Sequence, residues 1–537
     1  MDNGLDPEQR ARASTLAPRD EAATTAAHKQ ARGRLRVPSG WPLIAILIAQ
    51  AVLSARLIRA DTAFQDEAAY LWAGHLEWAS LLHGTSIPPF ASYFSGAPVI
   101  YPPIAALADS IGGLTAARIL SLAFMLGATA LLWSVTRELF GRRAAFFGAA
   151  LFAVLGPTLH LGVFATYDAM SVFLVGLSAW LVVVRAGPRP DTTRWLVAAG
   201  VVLAVANATA YSTILADLVV ILLALLIALP ELGAKLAAAR CLTVLIVAAV
   251  LLGLGCLLGG SSYVNGFEIT TLDRAQGAAP ASTVLSDAWS WTGVVVVAAA
   301  AGLVISAVQR DRLGRTVLIA ILAASALLGP FEQAYLHTTA SLDKHVGLGA
   351  WFAAIAAGYA VDRLIAAASD PKAQAITCGA CAVALALPIS LGVSQSWQFS
   401  SNWPKSSGFV AILRPLVERG TGRLLVEDPS IPEYYLHAEG QWMRWSSTRN
   451  IVLPSGASSG GPSSHAGIVG PGNAGTFGTK IEEGYFSLVA LNFADTTTLD
   501  KQIAADLALN PHYKKILVVP YGPAPGTYVI WQYEPNR

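Results

Sequence analysis

Charge is scarce in this sequence. Of its 537 residues, 13% are Asp, Glu, Lys or Arg, whereas a soluble domain carries roughly 25%. Hydrophobic residues make up 54% and gather in runs of about 20 residues, the length that spans a bilayer as a helix. This deficit of charge excludes an ordinary soluble protein and predicts a polytopic membrane protein. Because the formal net charge is only +2, the composition predicts no nucleic-acid partner.

Cysteines and the common nucleotide-binding motifs are also scarce. The four cysteines, Cys241, Cys256, Cys378 and Cys381, lie in apolar runs, where they are expected to pack as small apolar residues. The spacing of Cys378 and Cys381 would suit a pair of metal ligands. There is no second pair and no histidine nearby, so helix packing is the better interpretation. The region after residue 393 contains no P-loop, dinucleotide fingerprint or nucleophile elbow.

The apolar runs predict about eleven transmembrane helices, because a chain in lipid must satisfy its backbone hydrogen bonds within helices. Lys and Arg concentrate in the N-terminal tail and in alternate connections, which predicts a cytoplasmic N-terminus and an extracytoplasmic C-terminal region. Residues 1–40 are predicted to be a disordered cytoplasmic tail, 41–393 a transmembrane domain, and 59–114 its first outer loop with interfacial helices. The predicted spans are 41–58, 115–136, 144–160, 167–185, 195–211, 213–229, 241–259, 291–308, 316–330, 346–367 and 373–393.

After residue 393 the pattern changes from long apolar runs to short alternating segments. Strands are followed by a helix and further strands, an order that predicts a small α/β domain over residues 394–537. The predicted strands are 422–428, 485–493, 515–519 and 527–533; the predicted helix is 498–509, and residues 453–478 read as a loop rich in Gly, Ser and Pro.

An acidic pair lies in the first outer loop. Asp66 and Glu67 begin a short amphipathic helix, and Tyr70 follows Asp66 by one helical turn. Carboxylates at the mouth of a membrane span are costly to hold near lipid, so they usually face a cavity or water. The alternative is a solvated pair in the first turn of a helix, where acidic residues are favourable.

A second acid, Asp168, follows Tyr167 at the outer mouth of the fourth predicted span. A charged side chain costs roughly 2.5–3.5 kcal/mol at the bilayer centre and less near the surface. Two acidic sites on one side of the membrane predict a joint role, either as general base and partner or as oxygen ligands of a divalent cation. A helix-start residue near water is the alternative for Asp168.

A third cluster precedes the tenth predicted span and contains Gln333, His337, Lys344 and His345. A Lys–His pair at the outer interface suits an anionic headgroup or a phosphate. A snorkelling lysine beside an interfacial histidine is the alternative. Arg118 is a further intramembrane polar residue, for which hydrogen bonding between helices is expected.

The order and common sidedness of several short motifs resemble a known family. They are similar to bacterial members of the protein O-mannosyltransferase and aminoarabinose transferase superfamily, glycosyltransferase family 39. The resemblance covers residues 61–180 well and is loose afterwards. The segments that carry it are Asp66-Glu67, Tyr101-Pro102-Pro103-Ile104, Ala117-Arg118-Ile119-Leu120-Ser121-Leu122, Leu139-Phe140-Gly141-Arg142-Arg143-Ala144-Ala145 and Ala165-Thr166-Tyr167-Asp168.

The resemblance implies a GT-C fold, with a helical bundle and a soluble outer domain. It also implies a polyprenyl-phosphate-linked sugar donor and inverting transfer, on the outer face of the cytoplasmic membrane, to a hydroxyl of a glycan, lipid or protein. Asp66 is then the expected base, with Glu67 and Asp168 as further catalytic candidates. Lys344, His345 and His337 would bind the donor phosphate, and Tyr70, Tyr101, Tyr167 and Gln333 would line the substrate cavity.

Two points stay open at this level. The family's metal-ligand pattern is not recognisable in this sequence, so a divalent cation is possible but not established. A transporter or flippase of an amphipathic lipid-linked substrate is the alternative function. Transporters often carry internal repeats and broken helices at mid-membrane; no repeat is found here, and the polar residues gather on one side, which favours interfacial chemistry.

Overall fold

The computed structural model describes residues 40–437, 441–452, 468–471, 473–521 and 526–535. The chain divides into two compact units, Met1–Ile44 and Ala45–Arg537, and of the first only residues 40–44 are described. The predicted disordered tail therefore lies outside the described residues, except for Gly40. The fold and the site described below belong to the second unit.

Long apolar helices dominate the described residues. Eight continuous helical stretches have the length and composition to cross a membrane: Trp41–Ile58, Tyr101–Phe140, Tyr167–Ala186, Tyr211–Gly259, Ala281–Val308, Leu313–Tyr335, Leu342–Ala366 and Pro371–Ser401. The stretches Leu313–Tyr335 and Pro371–Ser401 each contain two of the helices numbered below. The helices, numbered in chain order, are α1 Trp41–Ile58, α2 Gln65–His83, α3 Tyr101–Phe140, α4 Arg142–Ala153, α5 Gly156–Leu161, α6 Tyr167–Trp180, α7 Thr193–Thr209, α8 Ile214–Gly259, α9 Ser261–Phe267, α10 Ala281–Val308, α11 Leu313–Ala324, α12 Leu328–Tyr335, α13 Leu342–Ala366, α14 Pro371–Ala384, α15 Ala386–Ser401, α16 Ser407–Arg419, α17 Ser430–Tyr435, α18 Ala474–Glu482 and α19 Thr497–Leu509.

Two of the longest helices are broken by glycines. In α3 the backbone leaves the helical region at Gly112 and at Gly113, where φ is +65°. In α8 it does so at Gly233, where φ is +75°, a short distance after Pro230. Positive φ costs glycine little, and proline removes a helical hydrogen bond, so the sequence itself provides these kinks.

The prediction of a multi-helix membrane bundle is confirmed, but the predicted number of eleven spans stays a prediction. The described residues contain eight qualifying helices, and the kink at Gly233 divides one of them where the sequence places two. The predicted spans 144–160 and 195–211 correspond to shorter helices, α4 with α5 and α7.

The C-terminal part is an α/β unit, as predicted. Its strands are β1 Arg423–Val426, β2 Trp445–Ser446, β3 Asn450–Val452, β4 Ile468–Pro471, β5 Phe486–Leu491, β6 Tyr513–Tyr521 and β7 Gly526–Tyr533. Five of them form a sheet with the order β2-β1-β5-β7-β6, in which β1 pairs in parallel with β2 and β5, while β7 is antiparallel to β5 and β6. A separate antiparallel pair is formed by β3 and β4.

The predicted elements of this unit match the structure in part. The four predicted strands overlap β1, β5, β6 and β7, and the predicted helix overlaps α19. The predicted loop over residues 453–478 is wrong at its end, where β4 and the start of α18 lie; residues 453–467 are outside the described residues. Such short elements leave no clear periodic pattern, and Gly472, Gly475 and Gly478 favour a turn in this stretch.

The helix α2 packs between the membrane helices and the C-terminal unit. Tyr435 receives a hydrogen bond at its hydroxyl from the backbone N–H of Ala63 (2.8 Å), and the Tyr434 hydroxyl lies 2.7 Å from Asp109 Oδ1. The second oxygen of Asp109 lies 2.7 Å from His75 Nε2. These contacts join α2, α3 and α17, so both the membrane part and the C-terminal unit hold α2 in place.

Candidate functional site

Asp66, in the first turn of α2, forms an ion pair with Lys344, in the first turn of α13. Lys344 Nζ donates to Asp66 Oδ2 over 2.5 Å. The Asp66 side chain is 38% exposed and that of Lys344 11% exposed. Lys344 Nζ also lies 4.6 Å from the ring centre of Phe164, a cation–π contact. The predicted base and the predicted phosphate-binding residue are therefore direct neighbours.

Glu67 faces away from Asp66 and is fully buried. It accepts two hydrogen bonds from the Arg118 guanidinium, at 2.9 and 2.7 Å, and one each from the backbone N–H groups of Phe64 and Ala165, both at 2.9 Å. Arg118 is buried as well. Four hydrogen bonds occupy the Glu67 carboxylate, so its geometry is that of a residue that joins α2, α3 and the segment before α6.

Asp168 lies in the first turn of α6, and Thr166 donates to its Oδ2 over 2.6 Å. The rings of Tyr167 and Tyr70 meet edge to face at 4.8 Å, and Tyr101 lies 6.5 Å from Tyr70. Burial, followed by the nearby Tyr167 and Asp66, raises the pKa of the Tyr70 phenol well above its ordinary value. Tyr70 therefore stays protonated at neutral pH and can only donate or accept a hydrogen bond.

A polar cavity of about 510 Å³ opens beside the Asp66–Lys344 pair. It adjoins an apolar cavity of about 850 Å³ between α10, α14 and α15, and Trp291 and Gln398 line both. The polar cavity is lined by Phe64, Asp66, His160, Phe164, Trp291, Ser341, Asp343, Lys344, Gln398, Phe399, Asn402 and Trp403.

His345 and Gln333 form a second polar group beside Lys344. His345 Nδ1 is 2.8 Å from Gln333 Nε2 and 3.2 Å from Glu332 Oε2, and Arg274 is 3.6 Å from the second oxygen of Glu332. Together with Asp168 and Lys344, His345 lines a small pocket. Lys344 thus borders both this pocket and the polar cavity.

Several predicted residues do not line these cavities: Glu67, His337 and the four residues predicted for the substrate cavity, Tyr70, Tyr101, Tyr167 and Gln333. His337 is exposed, has a φ of +52°, and places Nδ1 3.1 Å from the backbone oxygen of Ala279. Tyr101 is buried at the start of α3.

The polar cavity holds a second acid–base pair, which the sequence motifs do not predict. His160, in the short helix α5, places Nδ1 2.7 Å from Asp343 Oδ2. His160 is the last residue of the predicted span 144–160 and has apolar residues on both sides, so a single histidine gives no periodic signal. Asp343 immediately precedes Lys344, so only the fold reveals that this carboxylate faces a histidine 183 positions away.

A divalent cation does not fit the described side chains well. Among the residues that the structure describes, no group of three or more His, Cys, Asp or Glu side chains could hold a metal ion. Asp66 and Asp343 line the polar cavity and Asp168 lines the small pocket, but the Lys344 ammonium borders both spaces. The donor set seen in these residues therefore does not define a metal site.

Comparison with known proteins agrees with this architecture. Residues 97–255 match the family model described as dolichyl-phosphate-mannose-protein mannosyltransferase. No curated protein matches the sequence. The match to the family model confirms the resemblance that the sequence motifs predict, over an overlapping part of the chain.

Solved structures share the fold at low identity. The archaeal oligosaccharyltransferase AglB from Archaeoglobus fulgidus, in complex with an inhibitory peptide and a dolichol-phosphate, has a TM-score of 0.58 and 13% identity, covering 86% of this chain and 71% of that one. ArnT from Cupriavidus metallidurans, bound to undecaprenyl phosphate, has a TM-score of 0.56 and 15% identity, covering 92% and 98%. Arabinofuranosyltransferase AftD from Mycobacteria has a TM-score of 0.54 and 15% identity, covering 93% and 40%.

These similarities confirm the predicted fold class: a multi-pass membrane bundle of the GT-C type with a small C-terminal α/β unit. One further structure of the Archaeoglobus fulgidus oligosaccharyltransferase, with a TM-score of 0.51, is a complex with Zn and sulfate. The Zn and sulfate belong to the archaeal protein. The described residues of this chain contain no cluster of three or more metal-ligating side chains.

Proposed function

We propose that this protein is a membrane glycosyltransferase that moves a sugar from a polyprenyl-phosphate donor to a hydroxyl acceptor. The main support is the Asp66–Lys344 ion pair, which lines a polar cavity that adjoins an apolar cavity. A base and a cation side by side suit a reaction in which a hydroxyl is deprotonated while a phosphate departs.

The two adjoining cavities suit an amphipathic donor. The larger cavity is lined mainly by Val, Leu, Ala and Trp and would hold part of a prenyl chain. The polar cavity would hold the phosphate next to Lys344, whose ammonium offers a point charge with three donors. Trp291 and Gln398, which line both cavities, would mark the boundary between tail and phosphate.

The ion pair suggests how donor binding and base catalysis are linked. While Lys344 pairs with Asp66, its ammonium occupies a carboxylate oxygen that would otherwise accept a proton. An arriving phosphate would compete for Lys344 and release Asp66 to accept the proton of the acceptor hydroxyl. The oxygen then attacks the anomeric carbon from the side opposite the phosphate, which inverts its configuration. Glu67 would hold Asp66 in place through α2 rather than react.

The site is proposed to face the outside of the cytoplasmic membrane. This orientation follows from the distribution of Lys and Arg, and it would give access to acceptors in the cell envelope. A reporter that is active only outside the cytoplasm is expected to work after Arg537 and to fail in the connection near Arg142. The reverse pattern would overturn the orientation.

One assay tests the activity. Purified protein is incubated with a panel of polyprenyl-phosphate sugars and envelope extracts, and mass spectrometry follows the released polyprenyl phosphate and the glycosylated acceptor. Release that depends on Asp66 supports the transferase. Movement of intact donor between the leaflets of a vesicle, with no release, would support the flippase alternative. Addition of a chelator to the same assay tests the role of a divalent cation.

A further inference from the structure

The His160–Asp343 pair lines the same cavity as the Asp66–Lys344 pair, and the proposed base chemistry leaves it unused. We propose that His160 is the general acid that protonates the departing phosphate, and that Asp343 positions it. This proposal rests on the proposed function, because it concerns the second half of the same transfer.

The position of the His160 ring is fixed by its neighbours. It stacks on Phe399 with ring centres 4.0 Å apart and an interplanar angle of 19°, and it lies 4.8 Å from the ring of Phe164. Its side chain is 8% exposed. A ring held between two aromatic side chains keeps one orientation, as a proton donor must.

The partner of Nδ1 decides which proton His160 can give. An ionised carboxylate only accepts hydrogen bonds, so Nδ1–H donates to Asp343 over 2.7 Å. The other nitrogen, Nε2, has no hydrogen-bond partner among the described residues, and His160 lines the polar cavity. The imidazolium therefore has one proton committed to Asp343 and one available to a ligand in the cavity.

The charged groups around His160 come from several elements packed against it. Asp343 faces it from α13, and Lys344 and Asp66 line the same cavity. Arg118 lies behind Trp403, 5.0 Å from that ring. The helix α15, which supplies Phe399, contains no charged residue. A phosphate in this cavity would meet Lys344 and His160 together.

The proposed transfer moves one glycosyl group and two protons. The acceptor oxygen forms a bond to the anomeric carbon, the bond from that carbon to the phosphate oxygen breaks, and the acceptor proton passes to Asp66. The departing polyprenyl phosphate would be a dianion, and His160 gives its Nε2 proton to a phosphate oxygen, which leaves a monoanion and a neutral imidazole. A phosphate monoester has its second pKa near 6, close to the range in which histidine exchanges its proton.

The test compares wild type, His160→Gln and His160→Gly, with His83→Gln as a matched control on an exposed histidine at the end of α2. Single-turnover rates and donor affinities are measured from about pH 5.5 to about pH 9, on both sides of the histidine range, with the polyprenyl-phosphate sugar that the wild type uses. Thermal unfolding reports whether each variant folds. We expect His160→Gln to lower the rate by a factor on the order of 100, to keep donor affinity, and to lose the decline of rate at high pH.

Chemical rescue separates proton donation from packing. Free imidazole should restore the rate of His160→Gly, whereas pyrazole, which has the same shape but is not protonated near neutral pH, should not. Rescue by both compounds, or a wild-type rate and pH profile in His160→Gln, would overturn the role of His160 while leaving the transferase intact.

Asp343→Asn provides a second measurement if His160→Gln does not fold. Loss of the carboxylate makes the imidazolium less stable, so the decline of rate should move to lower pH; an unmoved decline would contradict the positioning role. If the wild type releases no polyprenyl phosphate from any donor in the panel, the proposed function itself fails, and this inference with it.

Discussion

Lys344 and Asp66 lie 278 positions apart in the sequence and 2.5 Å apart in the structure. The contact joins the first turn of helix α2 to the first turn of the membrane helix α13. It places a cation where a phosphate would bind and occupies the carboxylate that would act as base. The pair is therefore the point at which donor binding and acceptor activation can be coupled.

Asp66→Asn is expected to separate turnover from donor binding. The amide keeps the shape and removes the base, so transfer should fall by a factor on the order of 100 or more. Because Lys344 then loses its paired anion, donor affinity should rise by a factor on the order of 5, equivalent to about 1 kcal/mol. Donor titration and single-turnover rates measure both effects. Asp61→Asn, at an exposed acid of the same loop, is the control; near-normal turnover in Asp66→Asn would place the base elsewhere.

Lys344→Ala is expected to weaken both donor binding and turnover. Truncating one partner of a buried, hydrogen-bonded charge pair costs about 2–5 kcal/mol in binding, so donor affinity should fall by a factor of about 30 or more. The charge on the phosphate grows as the sugar departs, so the rate should fall further than the affinity. Lys405→Ala, at an exposed lysine close to Trp403, is the matched control. Donor binding equal to that of the parent would move the phosphate site toward His345.

Sequence patterns predict the charged members of the site better than the neutral ones. Asp66, Asp168 and Lys344 stand at the ends of apolar runs, where a charge is conspicuous because lipid excludes it. His160 is the last residue of the predicted span 144–160, but apolar residues follow it, so it does not mark where the apolar run ends; its partner Asp343 is identified only by the fold. Helical geometry could have separated Asp66 from Glu67, because adjacent residues on a helix point about 100° apart.

In the fold, too, some features are predictable from the sequence and others are not. The start of the second predicted span, at residue 115, lies just after the kink at Gly112 and Gly113, because glycine is recognisable in a sequence as a helix breaker. The two-residue strand β2 has no such sequence signal, because its pairing with β1 depends on partners remote in sequence. The packing of α2 against α17 depends in the same way on contacts such as that of Ala63 with Tyr435.

Arg118→Ala is expected to destabilise the protein. It would leave the buried Glu67 carboxylate without its main partner, and breaking a buried ion pair costs about 3–5 kcal/mol. Arg118 also donates to the backbone oxygens of Ile58, Ala60 and Thr62, so the segment before α2 should loosen. Thermal unfolding in detergent measures the loss. Arg137→Ala, an exposed arginine on the same helix, should change little; equal effects of the two variants would contradict a structural role for the pair.

The last prediction concerns Asp500, beside an unusual anion site in the C-terminal unit. The buried Glu427 carboxylate accepts hydrogen bonds from the backbone N–H groups of residues 492–496, at 2.6 to 3.3 Å. Asp500 is also buried, and Thr496 donates to its Oδ1 over 2.8 Å. Burial, together with the nearby Glu427, raises the pKa of Asp500 to about 7.

The sign of the pH effect follows from this shift. Between the ordinary pKa of about 3.9 and about 7, the folded state binds more protons at Asp500 than the unfolded state, so its stability falls as pH rises through this range and levels off above it. Asp500→Asn removes the ionisation and should protect the C-terminal unit more strongly at about pH 8 than at about pH 5. Hydrogen exchange of residues 486–509, compared with wild type at each pH, measures the difference. Asp506→Asn, on the same helix α19, is the control, and an advantage of Asp500→Asn that does not grow with pH would show that Asp500 is not the group that titrates.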